Sequence, residues 1–231
     1  MKYPKSINIC ISIFYLSTLV ILAACSRQTD VSILRDITEK PLSYREIILN
    51  ETTKEEAHRQ IASYEEVVPD SIVYPGNPQQ FFDVVLWFEL YPNIFNESSV
   101  YASAEFIGGR IFSILFCGQD DTIGDAVEKF GEPDYLVVTP DSEYGGWTVD
   151  LVYPETGIHF FYSTSEVDYR TEITPDIKIS CLVIFDPNIY PDMLDSGFFS
   201  QYNFNGEDTL KILYSWRGYG ELEEMYPFRE P

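Results

Sequence analysis

The chain reads as an α+β protein of two tandem units, each a helix packed on an antiparallel β-sheet, followed by a C-terminal extension. Three observations predict this. Short runs of alternating aliphatic and aromatic residues mark strands, and the 231 residues include 17 Tyr and 16 Phe, which favour them. Two stretches combine capping residues with the apolar spacing of amphipathic helices. The two helix starts, Thr53-Lys54-Glu55-Glu56-Ala57 and Thr122-Ile123-Gly124-Asp125-Ala126, lie 69 residues apart. The same offset lays Phe112-Ser113-Ile114-Leu115-Phe116 on Cys181-Leu182-Val183-Ile184-Phe185, so one period matches a helix start and a last strand.

The first 24 residues stand apart. Lys2 and Lys5 precede an apolar run over residues 7–24, which ends in Leu22-Ala23-Ala24-Cys25. A basic start, an apolar middle and small residues before a cut are the parts of a secretory signal. With cysteine at the cut, the segment resembles the lipobox of bacterial lipoproteins. That resemblance implies a diacylglycerol on the Cys25 thiol, Cys25 as the mature N-terminus, and export of the remainder to the cell envelope. The alternative is an uncleaved anchor, since the 18-residue run reaches spanning length, although Ser12, Ser17 and Thr18 interrupt it. Both readings put the body outside the cytoplasm. A lipid contributes about 0.8 kcal/mol per buried CH2, so two or three chains hold a protein firmly on a membrane.

Removing residues 1–24 leaves 207, enough for one large domain or two small ones. The formal charge moves from −22 to −24 because the removed part carries two lysines and no acids. Such a body is repelled by nucleic acid and by anionic lipid, which excludes nucleic-acid binding as a working function. It suits a well-solvated surface or a basic partner. No Asp-x-Asp-x-Asp-Gly run supports a calcium loop.

In chain order, residues 25–41 read as a polar, lipidated tether closed by Pro41, residues 42–118 as the first unit, 119–189 as the second and 190–231 as the extension. Residues 52–68 predict a helix, with Ala57, Ile61, Tyr64 and Val68 on one face, a Thr53/Glu56 capping box and Pro69 as the stop. Residues 81–90 and 100–106 predict strands. Gly108-Gly109 predicts a two-residue hairpin turn into a strand over 110–117. In the second unit Thr122 caps a helix whose face is Ile123, Ala126, Val127 and Phe130, and Gly131 and Pro133 end it. Strands follow over 135–139, 147–153, 158–162 and 177–185, with Pro154-Glu155-Thr156-Gly157 as a hairpin loop. Residues 209–216 suit a short helix or strand.

The stretch from Thr122 to Asp134, a capped helix closing on Gly131-Glu132-Pro133, resembles the helix-then-Gly-x-Pro signature of the SmpA/OmlA (BamE-like) envelope lipoproteins and of the β-lactamase-inhibitory-protein fold. The resemblance covers roughly residues 45–187. It implies a helix leading into an antiparallel sheet, twice in tandem, and a lipoprotein habit. The first unit lacks the terminal Gly-x-Pro, and the residues that carry barrel assembly or β-lactamase inhibition have no matched positions here.

Chemistry-bearing motifs are sparse. Only His58 and His159 are present, and no HExxH, Cys-x-x-Cys, Gly-x-Ser-x-Gly, Walker or dinucleotide motif occurs. No metal, cofactor or catalytic residue is therefore expected. Cys117 and Cys181, both in the exported body, suit either a disulfide or two buried thiols. In the extension, Trp216-Arg217-Gly218-Tyr219-Gly220 offers Trp216 and Tyr219 as candidate partner-binding anchors. The expected function is a non-enzymatic, lipid-anchored binding or assembly module facing outside the cytoplasm, with a membrane contact through Cys25 and a protein partner. A protein inhibitor of an extracellular enzyme and a carboxylate-dependent hydrolase are the competing expectations.

Overall fold

A computed structural model describes residues 32–74, 83–90, 100–140, 147–163, 172–191 and 213–227. Three short strands come first, β1 (Ile37–Glu39), β2 (Leu42–Tyr44) and β3 (Ile47–Ile48), then helix α1 (Lys54–Ile61). Strands β4 (Val84–Leu90), β5 (Val100–Ile107) and β6 (Arg110–Cys117) precede helix α2 (Ile123–Phe130). The chain continues through β7 (Tyr135–Pro140), β8 (Trp147–Tyr153), β9 (Ile158–Ser163), β10 (Glu172–Ile173) and β11 (Cys181–Phe185). It closes with β12 (Leu213–Ser215), β13 (Gly220–Glu221) and helix α3 (Leu222–Met225).

Eight strands form one antiparallel sheet in the order β12-β7-β8-β9-β11-β6-β5-β4. This corrects the expectation of two tandem helix-on-sheet units. The described structure is mostly β, its helices are short, and the strands of both stretches share one sheet. The cause is the pairing of β6 with β11, from Ser113↔Phe185 to Cys117↔Cys181. Two separate units would each leave an unpaired edge there, and joining them satisfies both rows of backbone groups.

The predicted Thr53/Glu56 capping box forms, and the predicted Thr122 cap forms a second one with Asp125. The Thr53 hydroxyl accepts from the Glu56 amide, the Thr122 hydroxyl from the Asp125 amide, and each acid returns to its cap's backbone N–H. Such a cap stabilises a helix by about 1 kcal/mol. Gly131, at φ 83°, ends α2 in a conformation that a side chain would strain. Helix α1 stops at Ile61, short of residue 68, because the chain turns away to run beside β4, with bridges from Val67 to Leu90 and from Val73 to Trp87. Between β5 and β6, Gly108 and Gly109 both have positive φ and join the pair Ile107↔Arg110, as a tight hairpin of right-handed twist requires.

One face of the sheet, here called inner, packs under the helices and β1–β3. Leu86, Phe88, Phe106, Ile114, Phe116, Leu151, Phe160 and Ile184 meet Ala57, Ile61, Ile123 and Ala126 in a single cluster. Ile33, Leu34 and Ile37 belong to the same cluster. The tether expected to reach residue 41 is thus part of the folded body from Ser32 onward. The Asp121 carboxylate holds it, accepting from the Ser32 hydroxyl at 2.5 Å and the Ile33 and Leu34 amides at 2.8 and 3.2 Å. Lys129 Nζ donates to the carbonyls of Leu34 and Ile37. Composition alone hid this, because scattered apolar residues among polar ones show neither helical nor strand periodicity.

Candidate functional site

The outer face of the sheet carries most of the remaining chemistry, and its register can be followed strand by strand. One cross-strand row, from β9 to β4, reads Phe161, Cys181, Cys117, Tyr101, Glu89. The next row reads His159, Val183, Leu115, Ser103, Trp87, with Val73 bridged beyond the edge. A third, Phe185, Ser113, Glu105, Val85, passes a register irregularity at Glu105/Phe106 that places Phe112 as an extra residue in β6.

Cys117 and Cys181 face each other directly and are joined by a disulfide, both half-buried. It ties β6 to β11, the pairing that unites the sheet. Cys25 and the apolar run over residues 7–24 lie outside the described residues. Among the described residues, no helix is long and apolar enough to cross a membrane.

Burial along the outer face is uneven. Val152, Val183 and Phe185 are buried and pack with Ile189 and Tyr190, and Val85 and Phe112 also take Ile189. At the β4–β5 end the same face opens, with Trp87 55%, Tyr101 59% and Val73 49% exposed. Glu89, two residues from Trp87 and directly opposite Tyr101, sits on this face beside both. The edge beside it is closed. Trp87 and Val73 exchange both backbone hydrogen bonds at 2.9 Å, Val68 N–H donates to Glu89 O, and Glu89 N–H donates to the Ser71 hydroxyl. These backbone bonds occupy the edge of β4 at the corner, while the Trp87 and Tyr101 side chains remain exposed.

Three ionisable groups are buried on this face, the paired Asp150 and His159, and Glu105. Asp150 Oδ1 lies 2.7 Å from His159 Nε2, and desolvation pushes the Asp150 carboxyl above its ordinary range against the pull of His159. Burial likewise pushes Glu105 up to about 7, although its hydrogen bond from Ser113 works the other way. With Asp150 and His159 both buried, the pair is not exposed to a substrate in solution. His58 is held at the surface by Tyr74, with Nδ1 2.9 Å from the phenol oxygen and the rings stacked. Elsewhere, Glu39, Glu51, Glu155 and Asp186 line a cleft of about 260 Å³ together with Leu42 and Pro187. Among the described residues no His, Cys, Asp and Glu cluster could hold a metal ion.

Trp216 and Tyr219 stand at the other end of the sheet, beside β12. Trp216 is half-buried against the core, edge-on to Tyr219 at 5.5 Å and stacked on Tyr226 at 6.3 Å. The Tyr226 hydroxyl accepts from Arg217 N–H and donates to Gly218 O, which closes the loop around the indole. Tyr219 remains 39% exposed. The structure therefore does not bring Trp216 and Tyr219 together with Cys117 and Cys181, and the open corner consists of residues the motif search passed over. Their signal was parity. Trp87 and Glu89 alternate with Leu86, Phe88 and Leu90, so a charged residue marks the face that Trp87 shares.

No protein-family model, curated protein or solved structure matches this chain.

Proposed function

We propose that the chain is a lipid-anchored, extracytoplasmic binding or assembly module of the bacterial cell envelope that acts without catalysis. The observation that carries this reading is the order basic residues, apolar run, Leu22-Ala23-Ala24-Cys25 at the N-terminus. The Cys117–Cys181 disulfide supports it independently, since such bonds persist in exported proteins and are rare in a reducing cytosol. The open aromatic corner supports a binding role, because exposed Trp and Tyr side by side are typical of protein contacts.

The test is metabolic labelling with an alkyne fatty acid in a bacterial host, comparing the native chain with Cys25→Ser. The native chain should take the label, fractionate with membranes and lose the mass of residues 1–24, while Cys25→Ser takes no label. An unlabelled native chain, or equal labelling of Cys25→Ser, removes the anchor and with it this reading.

A further inference from the structure

We propose that the open corner of the outer face is the docking surface for an extended, cationic segment of a protein partner, with one Arg or Lys side chain stacked on Trp87, a second on Tyr101, and Glu89 pairing with them. This names the partner chemistry of the binding reading above and rests on it.

Geometry carries the first part. Trp87 lies opposite Ser103, and Tyr101 is two residues along β5, so the two aromatic positions are diagonal neighbours on one face. Diagonal positions in an antiparallel pair are about 7–8 Å apart. Alternate residues of an extended chain, which point to one side, are spaced by about 7 Å. An Arg-x-Arg or Lys-x-Lys spacing therefore matches the two rings. The partner lies across the face and does not extend the sheet, because the β4 backbone at Trp87 and Glu89 is already bonded to Val73, Val68 and Ser71.

Charge carries the second part. None of the three outer-face rows described above, from β9 to β4, contains Lys or Arg, whereas Glu89 lies beside both rings, two residues from Trp87 and directly opposite Tyr101. The whole chain has a formal charge of −22, which steers cations toward it and anions away. A cation over a Trp or Tyr face is attracted by the ring's quadrupole, and a guanidinium also stacks flat on it. An apolar partner would leave the Glu89 carboxylate buried without a counter-charge, a costly arrangement.

The experiment titrates full-length protein in non-ionic detergent with the capped peptide Arg-Ser-Arg-Ser-Arg-Ser, read by calorimetry. The comparison probes are Arg-Arg-Arg-Ser-Ser-Ser, Glu-Ser-Glu-Ser-Glu-Ser and a neutral chitin oligosaccharide. The alternating arginine peptide should bind more tightly than the block peptide. Trp87→Ala and Tyr101→Ala should each weaken it about tenfold, the order expected for a desolvated cation–π contact. Glu89→Gln should weaken it several-fold and reduce its salt dependence. Thermal unfolding of each variant checks that these exposed positions have not cost the fold. Native affinity retained in both Trp87→Ala and Tyr101→Ala would mean diffuse attraction by the acidic surface and overturns the proposal. So does an absence of arginine-peptide binding, and so does capture of the oligosaccharide through Trp87 in its place. Because the assay is independent of where the protein resides, it can fail while Cys25 lipidation stands, or succeed while lipidation fails.

Discussion

The two Trp–Tyr pairs at opposite ends of the sheet are alike in composition and opposite in setting. Trp87 and Tyr101 are the most exposed of the large apolar side chains described, on strands whose other faces lie in the core. Trp216 is folded inward against Tyr226 and half-buried, while Tyr219 beside it is 39% exposed. An aromatic motif in a turn-rich segment suggests a binding lip, and an aromatic inside an apolar strand suggests core. Here the turn-rich motif closes a small lobe and the apolar strand presents its tryptophan outward. Residue type alone does not separate the two outcomes. Separation comes from which face of the sheet is covered and how far the cover extends.

The comparison can be broken first at the disulfide, whose Cys117 lies directly across from Tyr101. Replacing both cysteines with serine frees a loop of 64 residues in the unfolded chain. Chain-entropy arguments put the loss at about 4 kcal/mol, seen as a lower denaturant midpoint. Strands β4 to β6 should loosen in hydrogen exchange along with β11, while the Trp216 lobe, remote in the strand order, retains more of its protection.

Glu105 offers the next largest effect. Its folded pKa of about 7 lies above the ordinary 4.5, so the folded state holds a proton that the unfolded state has released. That group's stabilisation is fully present below about pH 4.5 and is lost as pH rises toward 7 and beyond. At about 1.4 kcal/mol per pKa unit, the loss is about 3 kcal/mol. Unfolding free energies at pH 5 and pH 8 should therefore show Glu105→Gln gaining on the native protein at the higher pH. A constant difference between the two would remove the buried, proton-holding role.

The smallest and sharpest test sets one tryptophan against the other. Trp216→Ala should cost about 2 kcal/mol, less than the full penalty for a wholly buried ring because the indole is only half-buried. Trp87→Ala should change stability by no more than about 0.5 kcal/mol, as exposed positions do. Urea denaturation of the two variants decides it. Equal losses would mean that the open corner is packed in solution. A double Trp216→Ala/Tyr219→Ala variant therefore mixes lost packing with any lost partner contact, and Tyr219→Ala alone is the cleaner probe of binding at that end.

Much of the local structure was legible in the amino-acid order. The two capping boxes, the Gly108-Gly109 turn, the Gly131 helix end and the main strands follow from residues within a few positions of one another. The departures have a common origin. Helix α1 ends early, since Tyr64 turns toward Tyr44 and Arg45 and Val67 toward Leu90, contacts that outweigh the helical spacing of the same residues. Residues 33–37 read as tether because the partner that orders them, Asp121, lies 88 residues away from Ile33. The site was less visible still. Trp87 sits in Val84-Val85-Leu86-Trp87-Phe88, whose unbroken hydrophobicity masks the alternation that only Glu89 betrays.

What the sequence determined by itself is therefore short-ranged: the caps, the turns and the strand segments, all governed by backbone sterics and hydrogen bonds between near neighbours. The tertiary structure alone decided that β6 pairs with β11 to make one sheet, that Cys117 meets Cys181, and that Trp87 stands out in solvent while Trp216 is half-buried. Those outcomes depend on pairing and burial between segments far apart in the chain. Local periodicity carries no record of which edges will meet or which face will be covered.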